Sequence, residues 1–228
     1  GAGLGCWAAW DNAVTAFENR QESKRLSVEQ KQQVMSRLAD LHKRKLLDCD
    51  PSEITLLKGE GMSADGTFAK RLYVPEGDVN EFGLQHEVGH INKKHAAQRD
   101  GAYATLMFWP YVYSRGRTLT NGKILQISIL MFGARKLCSY LVARKAEPEA
   151  DAFAARNCTS AADFSEQIYR YAAVENSYVR RFQEFGFSQQ NAHGLFALVD
   201  PHTPFNGSRA DRLAETFQAR FMDDQVRQ

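Results

Sequence analysis

Apolar residues recur every three to four positions over most of the chain, a pattern that predicts helices rather than strands. The predicted helices cover residues 7–22, 27–47, 79–99, 121–146, 148–157, 163–185 and 208–222. The second of these begins with a capping box, in which Ser27 caps the helix and Gln30 follows three positions later. Two short β-forming segments, 54–57 and 68–74, flank a glycine-rich turn. The sequence therefore predicts a mostly α (α+β) fold with a small sheet.

The length of 228 residues suits a single globular domain, with N-terminal helices in residues 1–52 and a core in residues 53–228. The formal net charge of +2 argues against a dedicated nucleic-acid-binding protein, which carries a larger basic excess. No unbroken apolar run of about eighteen residues occurs, so we expect no membrane span. The aromatic segment 103–114, which contains Pro110, is expected to pack in the core, with contact to a membrane interface as the alternative.

Residues 86–90, His-Glu-Val-Gly-His, form an HExxH pattern inside a predicted helix. Residues four apart lie on one helical face, so His86 and His90 can both reach one Zn²⁺ at about 2.0–2.1 Å. Glu87 can accept a proton from a zinc-bound water and pass it to a leaving amine. The four cysteines are too widely spaced for a cysteine-ligated site. The pattern predicts a hydrolytic zinc site, and the simpler alternative is two histidines on a solvated helical face.

A catalytic zinc site needs a third protein ligand. The positions at which a metzincin would continue its motif hold Lys93 and Ala96, so that class is excluded. His95 follows His90 by five residues, about 140° round a continuous helix, and is expected to point elsewhere. A carboxylate distant in sequence is therefore the expected third ligand.

The segment 146–154, Ala-Glu-Pro-Glu-Ala-Asp-Ala-Phe-Ala, is the best candidate for that carboxylate. Glu147 and Asp151 are four residues apart and share a face, whereas Glu149 points away from both. We predict that Glu147 is the third ligand and that Asp151 accepts a hydrogen bond from a ligand imidazole. Pro148 suits the first turn of a helix, so a new helix is predicted to begin there. An acidic, solvated helix start is the alternative interpretation.

With both segments in view, the chain resembles the CAAX prenyl protease/HtpX-like zinc metallopeptidases, which are gluzincins. HEVGHINKKH is similar to their active-site helix, and EPEADAFA is similar to their ExxxD segment. The resemblance implies a zincin-like domain with a small sheet beside the active-site helix, and one Zn²⁺ per chain. It implies the same roles for Glu147, as zinc ligand, and for Asp151.

A third segment near the C-terminus is similar to the HP…R segment of the same family. It consists of Asp200-Pro201-His202-Thr203-Pro204 followed by Ser208-Arg209-Ala210-Asp211-Arg212-Leu213. The resemblance implies that His202 and Arg209 stabilise the oxyanion of the tetrahedral intermediate, with Arg212 as the alternative to Arg209. A loop histidine and a surface arginine are the simpler interpretation.

The sequence and the resemblance together predict a zinc-dependent metalloendopeptidase that acts on protein or peptide substrates in quality control or processing. An extended substrate is expected to pair with strand 68–74, and residues 103–145 are where a lid is expected if the enzyme is latent. No nucleic-acid partner is expected, but peripheral contact with a membrane is. The favoured location is a bacterial cell envelope, periplasmic or membrane-associated. The alternative is a latent or inactive zinc-binding, chaperone-like module at a membrane surface.

Overall fold

The structure, a computed structural model, describes residues 2–115, 120–199 and 208–222. These residues form eight α-helices and one three-stranded sheet, which confirms the mostly α fold class. The helices are α1 Ala2–Arg20, α2 Val28–Lys43, α3 Glu81–Asn92, α4 His95–Ser114, α5 Asn121–Asn157, α6 Ala161–Glu184, α7 Gln189–Val199 and α8 Arg209–Phe217. The strands are β1 Ile54–Lys58, β2 Ser63–Asp65 and β3 Lys70–Val74.

The sheet has the order β1-β3-β2, with β1 parallel and β2 antiparallel to β3. The expectation that an extended substrate pairs with strand 68–74 was therefore wrong, because β3 is the central strand and has a neighbouring strand on each side. The edge next to α3 is β2, which lies in the stretch predicted as a turn. A strand of three residues is too short to show an alternating pattern in the sequence. The chain returns from β2 through Gly66, whose φ of +96° favours glycine.

The turn after β2 is fixed to α1 by one buried carboxylate. Oδ2 of Asp11 accepts hydrogen bonds from the N–H groups of Thr67, Phe68 and Ala69 at 3.0, 2.8 and 2.9 Å. Its Oδ1 lies 3.0 Å from Nη2 of Arg71, and both of these side chains are buried. The N-terminal helix is thus tied to the edge of the sheet that faces α3.

Helix α3 lies between two hydrophobic clusters, which explains why seven of its twelve residues are buried. On one side it packs against α2 and the sheet through residues such as Leu38, Leu72 and Val88. On the other side Phe82 packs in a cluster formed with α5, α6 and α8. Helix α3 approaches α5 closely at Gly89, where an added Cβ would lie 3.1 Å from the Ala150 backbone.

The start of α2 agrees with the prediction, but its end does not. The Ser27 hydroxyl accepts a hydrogen bond from the Gln30 N–H at 3.1 Å. The Gln30 side chain does not complete the capping box; it donates to the carbonyls of Pro75 and Gly77 instead. The helix ends at Lys43 rather than near residue 47, because Lys45 adopts a left-handed φ of 60° and turns the chain.

Two further helix boundaries differ from the prediction. The single helix expected over 79–99 is two helices, because the chain breaks at Lys93 and Lys94, and Lys94 has a left-handed φ of 55°. Conversely, α5 runs through Pro148, where a new helix was expected to start. Proline removes one intrahelical hydrogen bond, but the turns on either side of Pro148 are held by packing against α3. Helix α7 was not predicted.

The outer parts of α4 and α5 expose apolar side chains. Phe108 and Tyr113 of α4 are exposed, so the expectation that the described part of 103–114 lies in the core was wrong. The expectation of no membrane span stays a prediction. Helix α5 is long and apolar enough to cross a membrane by length and composition alone, and 0 % of its apolar window is buried. The sequence expectation required an unbroken apolar run, whereas the mean hydropathy of a window in α5 stays high although polar residues are scattered through it.

Candidate active site

The two histidines of the HExxH pattern lie on one face of α3. The helix begins after Asn80, whose side chain accepts a hydrogen bond from the Gly83 N–H at 3.0 Å. The Nε2 atoms of His86 and His90 lie 3.0 Å apart, one turn from each other. Helical spacing thus brings two ring nitrogens to one point, as the sequence predicts.

Glu147 of α5 meets the two histidines at this point. Its Oε2 lies 3.3 Å from Nε2 of His86, and its Oε1 lies 3.6 Å from Nε2 of His90. Ligand atoms placed tetrahedrally round zinc are separated by about 3.3 Å, which matches these distances. The three side chains together could hold a metal ion. Two imidazoles and one carboxylate are the ligands of catalytic zinc sites that keep one position open, so these residues fit zinc.

Glu87 lies beside the ligand cluster and is also buried. Burial disfavours its charge and raises its pKa, and the charge of His86 only partly opposes this effect. A hydrogen bond from the backbone of Ala64 in β2 helps to orient its carboxylate. A carboxylate with a raised pKa next to a metal site is suited to accept and return a proton.

Asp151 and Arg209 form a buried ion pair behind the ligands. Oδ1 of Asp151 lies 2.9 Å from Nδ1 of His86, although the ring N–H is not well aligned with it. Nε and Nη2 of Arg209 donate to the two oxygens of Asp151 at 2.7 and 2.6 Å. Nη2 also lies 3.2 Å from Oε2 of Glu147. One guanidinium therefore compensates the charge of two buried carboxylates.

The pKa values of the two ligand histidines are shifted in opposite directions. Burial opposes the charge of His86, but the close carboxylates of Asp151 and Glu147 outweigh this and raise its pKa to about 10. Burial and the neighbouring charge of His86 lower the pKa of His90 to about 3. His90 is therefore neutral, as a ligand must be, whereas a metal ion must compete with a proton at His86.

A cleft of about 1710 Å³ opens over these residues. Residues 62–68, which include β2, and parts of α4 and α5 line this cleft. His86, Glu87 and Glu147 contribute to its lining. In the described part of the chain, no strand pairs with the outer side of β2, so this edge is open to an extended chain.

A family model described as peptidase family M48 matches residues 81–217, more than half of the chain. The chain belongs to peptidase family M48. The match begins at the first residue of α3 and ends at the last residue of α8, so it contains the whole ligand cluster and the ion pair. No curated protein and no solved structure matched the chain. M48 enzymes are zinc metallopeptidases, and membership indicates a hydrolase that acts on proteins or peptides.

The structure brings together most of the M48 site residues expected from the sequence. Glu147 lies with the two histidines, and Asp151 and Arg209 lie directly behind them. Arg212 makes none of these contacts, although it lies one turn along α8. His202 lies outside the described residues.

The expectation for His95 was wrong. It rested on a continuous helix, but the break between α3 and α4 turns the chain back, and Nδ1 of His95 lies 2.8 Å from Nδ1 of His90. Nε2 of His95 lies 3.3 Å from Oε2 of Glu149, which points away from the ligand cluster as predicted. The segment around Lys93 and Lys94 contains neither glycine nor proline, so nothing in the sequence signals this break.

Two other residues of the M48 site were not found from the sequence. Tyr171 of α6 lies under the Arg209 guanidinium, with 3.9 Å between the guanidinium carbon and the ring centroid. Ala64 contributes only its backbone. A tyrosine inside an amphipathic helix and an alanine in a short strand carry no motif, so only the tertiary fold identifies them.

Replacing Arg209 with Met should destabilise the fold by about 3–5 kcal/mol, because two buried carboxylates lose their compensating charge. Urea unfolding of the metal-free protein measures this change. Arg212→Met is the matched control on the same helix and should cost less than about 1 kcal/mol. Equal effects of the two substitutions would contradict the structural role assigned to Arg209.

Proposed function

We propose that this chain is an M48 zinc metalloendopeptidase in which His86, His90 and Glu147 hold one zinc ion. The observation that carries the proposal is the convergence of their ligand atoms at 3.0–3.6 Å, the spacing of a tetrahedral site. The closer relationship to the CAAX prenyl protease/HtpX-like peptidases is part of this proposal. Its support is the combination of HEVGH with EPEAD in this chain.

Zinc bound there would lower the pKa of a coordinated water and polarise the carbonyl of the scissile peptide bond. The Glu87 carboxylate accepts the proton of the attacking water and delivers it to the leaving nitrogen. The C–N bond then breaks and the leaving group departs as a neutral amine. Burial of Glu87 raises its pKa above the ordinary value, which strengthens the carboxylate as a proton acceptor.

Arg209 has two proposed contributions. Through Nε and Nη2 it holds Asp151 and Glu147, which orients the ligands. Arg209 also lines the cleft, and its guanidinium is assigned by resemblance as a donor to the oxyanion. His202 is proposed as the second oxyanion donor, by resemblance alone.

Substrate binding is assigned to the outer edge of β2 rather than to β3, where the sequence placed it. The edge strand and Glu87 line the same cleft, and the strand's backbone reaches the Glu87 carboxylate at Ala64. Pairing through backbone hydrogen bonds accepts many side chains, which suits a peptidase that processes or removes varied proteins.

The Glu87→Gln variant tests the mechanism. It should keep zinc but hydrolyse an unfolded protein about 10²–10⁴-fold more slowly, because the amide cannot accept a proton. Zinc content and cleavage rate are measured on the same samples, with the exposed Glu184→Gln as the matched control. Cleavage at the parent rate would contradict the mechanism. Zinc binding without hydrolysis in the parent would instead favour the inactive, chaperone-like module.

We also propose that the outer parts of α4 and α5 contact a membrane surface, which would place the protein at a bacterial cell envelope. The observations are the unburied apolar window of α5 and the exposed apolar residues on both helices, such as Phe108, Leu125 and Leu130. The stretch from residue 124 to residue 134 carries no charge and lies between Lys123 and Arg135. At 1.5 Å per residue it is about 16 Å long, enough for one leaflet and too short for the bilayer core of about 30 Å.

Basic residues at the ends of this stretch suit anionic headgroups. We therefore expect sedimentation with vesicles that contain phosphatidylglycerol. The double variant Leu125→Glu/Leu130→Glu should reduce it at least tenfold, since each buried leucine contributes about 1.5–3 kcal/mol. Phe185→Glu, at an exposed apolar position directly after α6, is the control. Unchanged sedimentation of the double variant would contradict membrane contact, as would a stable dimer through this surface.

A further inference from the structure

A histidine that is not a ligand lies directly behind one of the proposed zinc ligands. The break after α3 places His95 at the first position of α4, where it is buried. Its Nδ1 lies 2.8 Å from Nδ1 of His90, and the two rings meet edge to face with their centroids 4.9 Å apart. The second nitrogen of His95 lies 3.3 Å from Oε2 of Glu149.

The direction of the hydrogen bonds in this chain follows from the ligand role of His90. A neutral imidazole that presents Nε2 to a metal carries its proton on Nδ1. The only partner at hydrogen-bond distance from that atom among the described residues is Nδ1 of His95, which must accept. His95 then carries its own proton on Nε2 and donates it to Glu149.

We propose that His95 is a positioning residue that fixes the tautomer and ring orientation of His90, and that Glu149 fixes His95 in turn. This inference rests on the proposed function, because it requires His90 to bind zinc through Nε2. The two ligand histidines are then supported differently. Asp151 lies directly behind His86, whereas His90 reaches its carboxylate through a second imidazole.

The arrangement also explains why Glu149 matters although it points away from the ligands. Glu147 and Glu149 leave α5 on different sides, one towards the ligand atoms and one towards His95. Glu149 is partly exposed, so its contact with His95 is weaker than the buried contact between His95 and His90. Substitution of Glu149 should therefore have a smaller effect than substitution of His95.

Two substitutions of His95 separate positioning from packing. In His95→Asn the side-chain oxygen takes the place of Nδ1 and still accepts from His90. In His95→Leu no acceptor remains. We expect the zinc dissociation constant, measured by competition with a chelator, to rise 10–100-fold in His95→Leu and less than about threefold in His95→Asn. Glu149→Gln should lie between the parent and His95→Leu.

A spectroscopic readout accompanies the affinity. In the zinc-loaded parent and in His95→Asn, the Nδ1–H signal of His90 in ¹⁵N–¹H spectra should be protected from exchange with water, and in His95→Leu it should be lost. His42→Leu is the control, because the His42 ring contacts the carbonyl of Leu47 and none of the ligands. It should leave the zinc dissociation constant unchanged.

Parent-like zinc affinity in His95→Leu would overturn the proposal while leaving the proposed function intact. Equal weakening in His95→Asn and His95→Leu, with the exchange-protected signal absent from the parent, would also overturn it, because packing alone would then explain the loss. A parent chain that binds no zinc would contradict both this proposal and the proposed function. Circular dichroism of each metal-free variant confirms that the helices are intact before affinities are compared.

Discussion

The close packing of α3 against α5 is the constraint on which the rest of the site depends. Gly89 makes it possible, because an added Cβ would lie 3.1 Å from Cα of Ala150 and 3.3 Å from Cβ of Phe153. At this separation Glu147 reaches both histidines within 3.6 Å, and a larger residue at position 89 would require its neighbours on α5 to shift. The edge strand β2 and helix α8 are then arranged round the helix pair. The first brings a backbone hydrogen bond to Glu87, and the second brings Arg209.

Such packing buries several charged groups together. The need to balance their charges explains why carboxylates and a guanidinium lie side by side in the site. A buried charge is costly unless it is paired and hydrogen-bonded. Three carboxylates, those of Glu87, Glu147 and Asp151, lie near the single guanidinium of Arg209. A divalent cation among the ligand atoms would supply further positive charge where it is needed. The same argument explains why the buried His95 has a partner on each ring nitrogen.

The sequence predicted the chemistry of this site better than its surroundings. HExxH and the carboxylates at 147 and 151 depend on helical spacing, which is local and regular, so their shared faces could be worked out without the fold. Resemblance to a family then added Arg209. The contact of His95 with His90 could not be predicted, because it depends on a left-handed residue, Lys94, in a segment without glycine or proline. The position of β3 in the centre of the sheet depended on a three-residue strand, and the continuity of α5 through Pro148 depended on tertiary packing that overrides local preference.

The central claim is that His86, His90 and Glu147 hold one zinc ion. Elemental analysis of the purified parent chain beside Glu147→Ala tests it most directly. The account predicts one zinc per chain in the parent and a sharp loss in the variant, since only two protein ligands would remain. Absence of zinc in the parent after reconstitution would contradict the claim. Full retention in Glu147→Ala would also contradict it, by moving the third ligand to another residue such as Glu149 or His202.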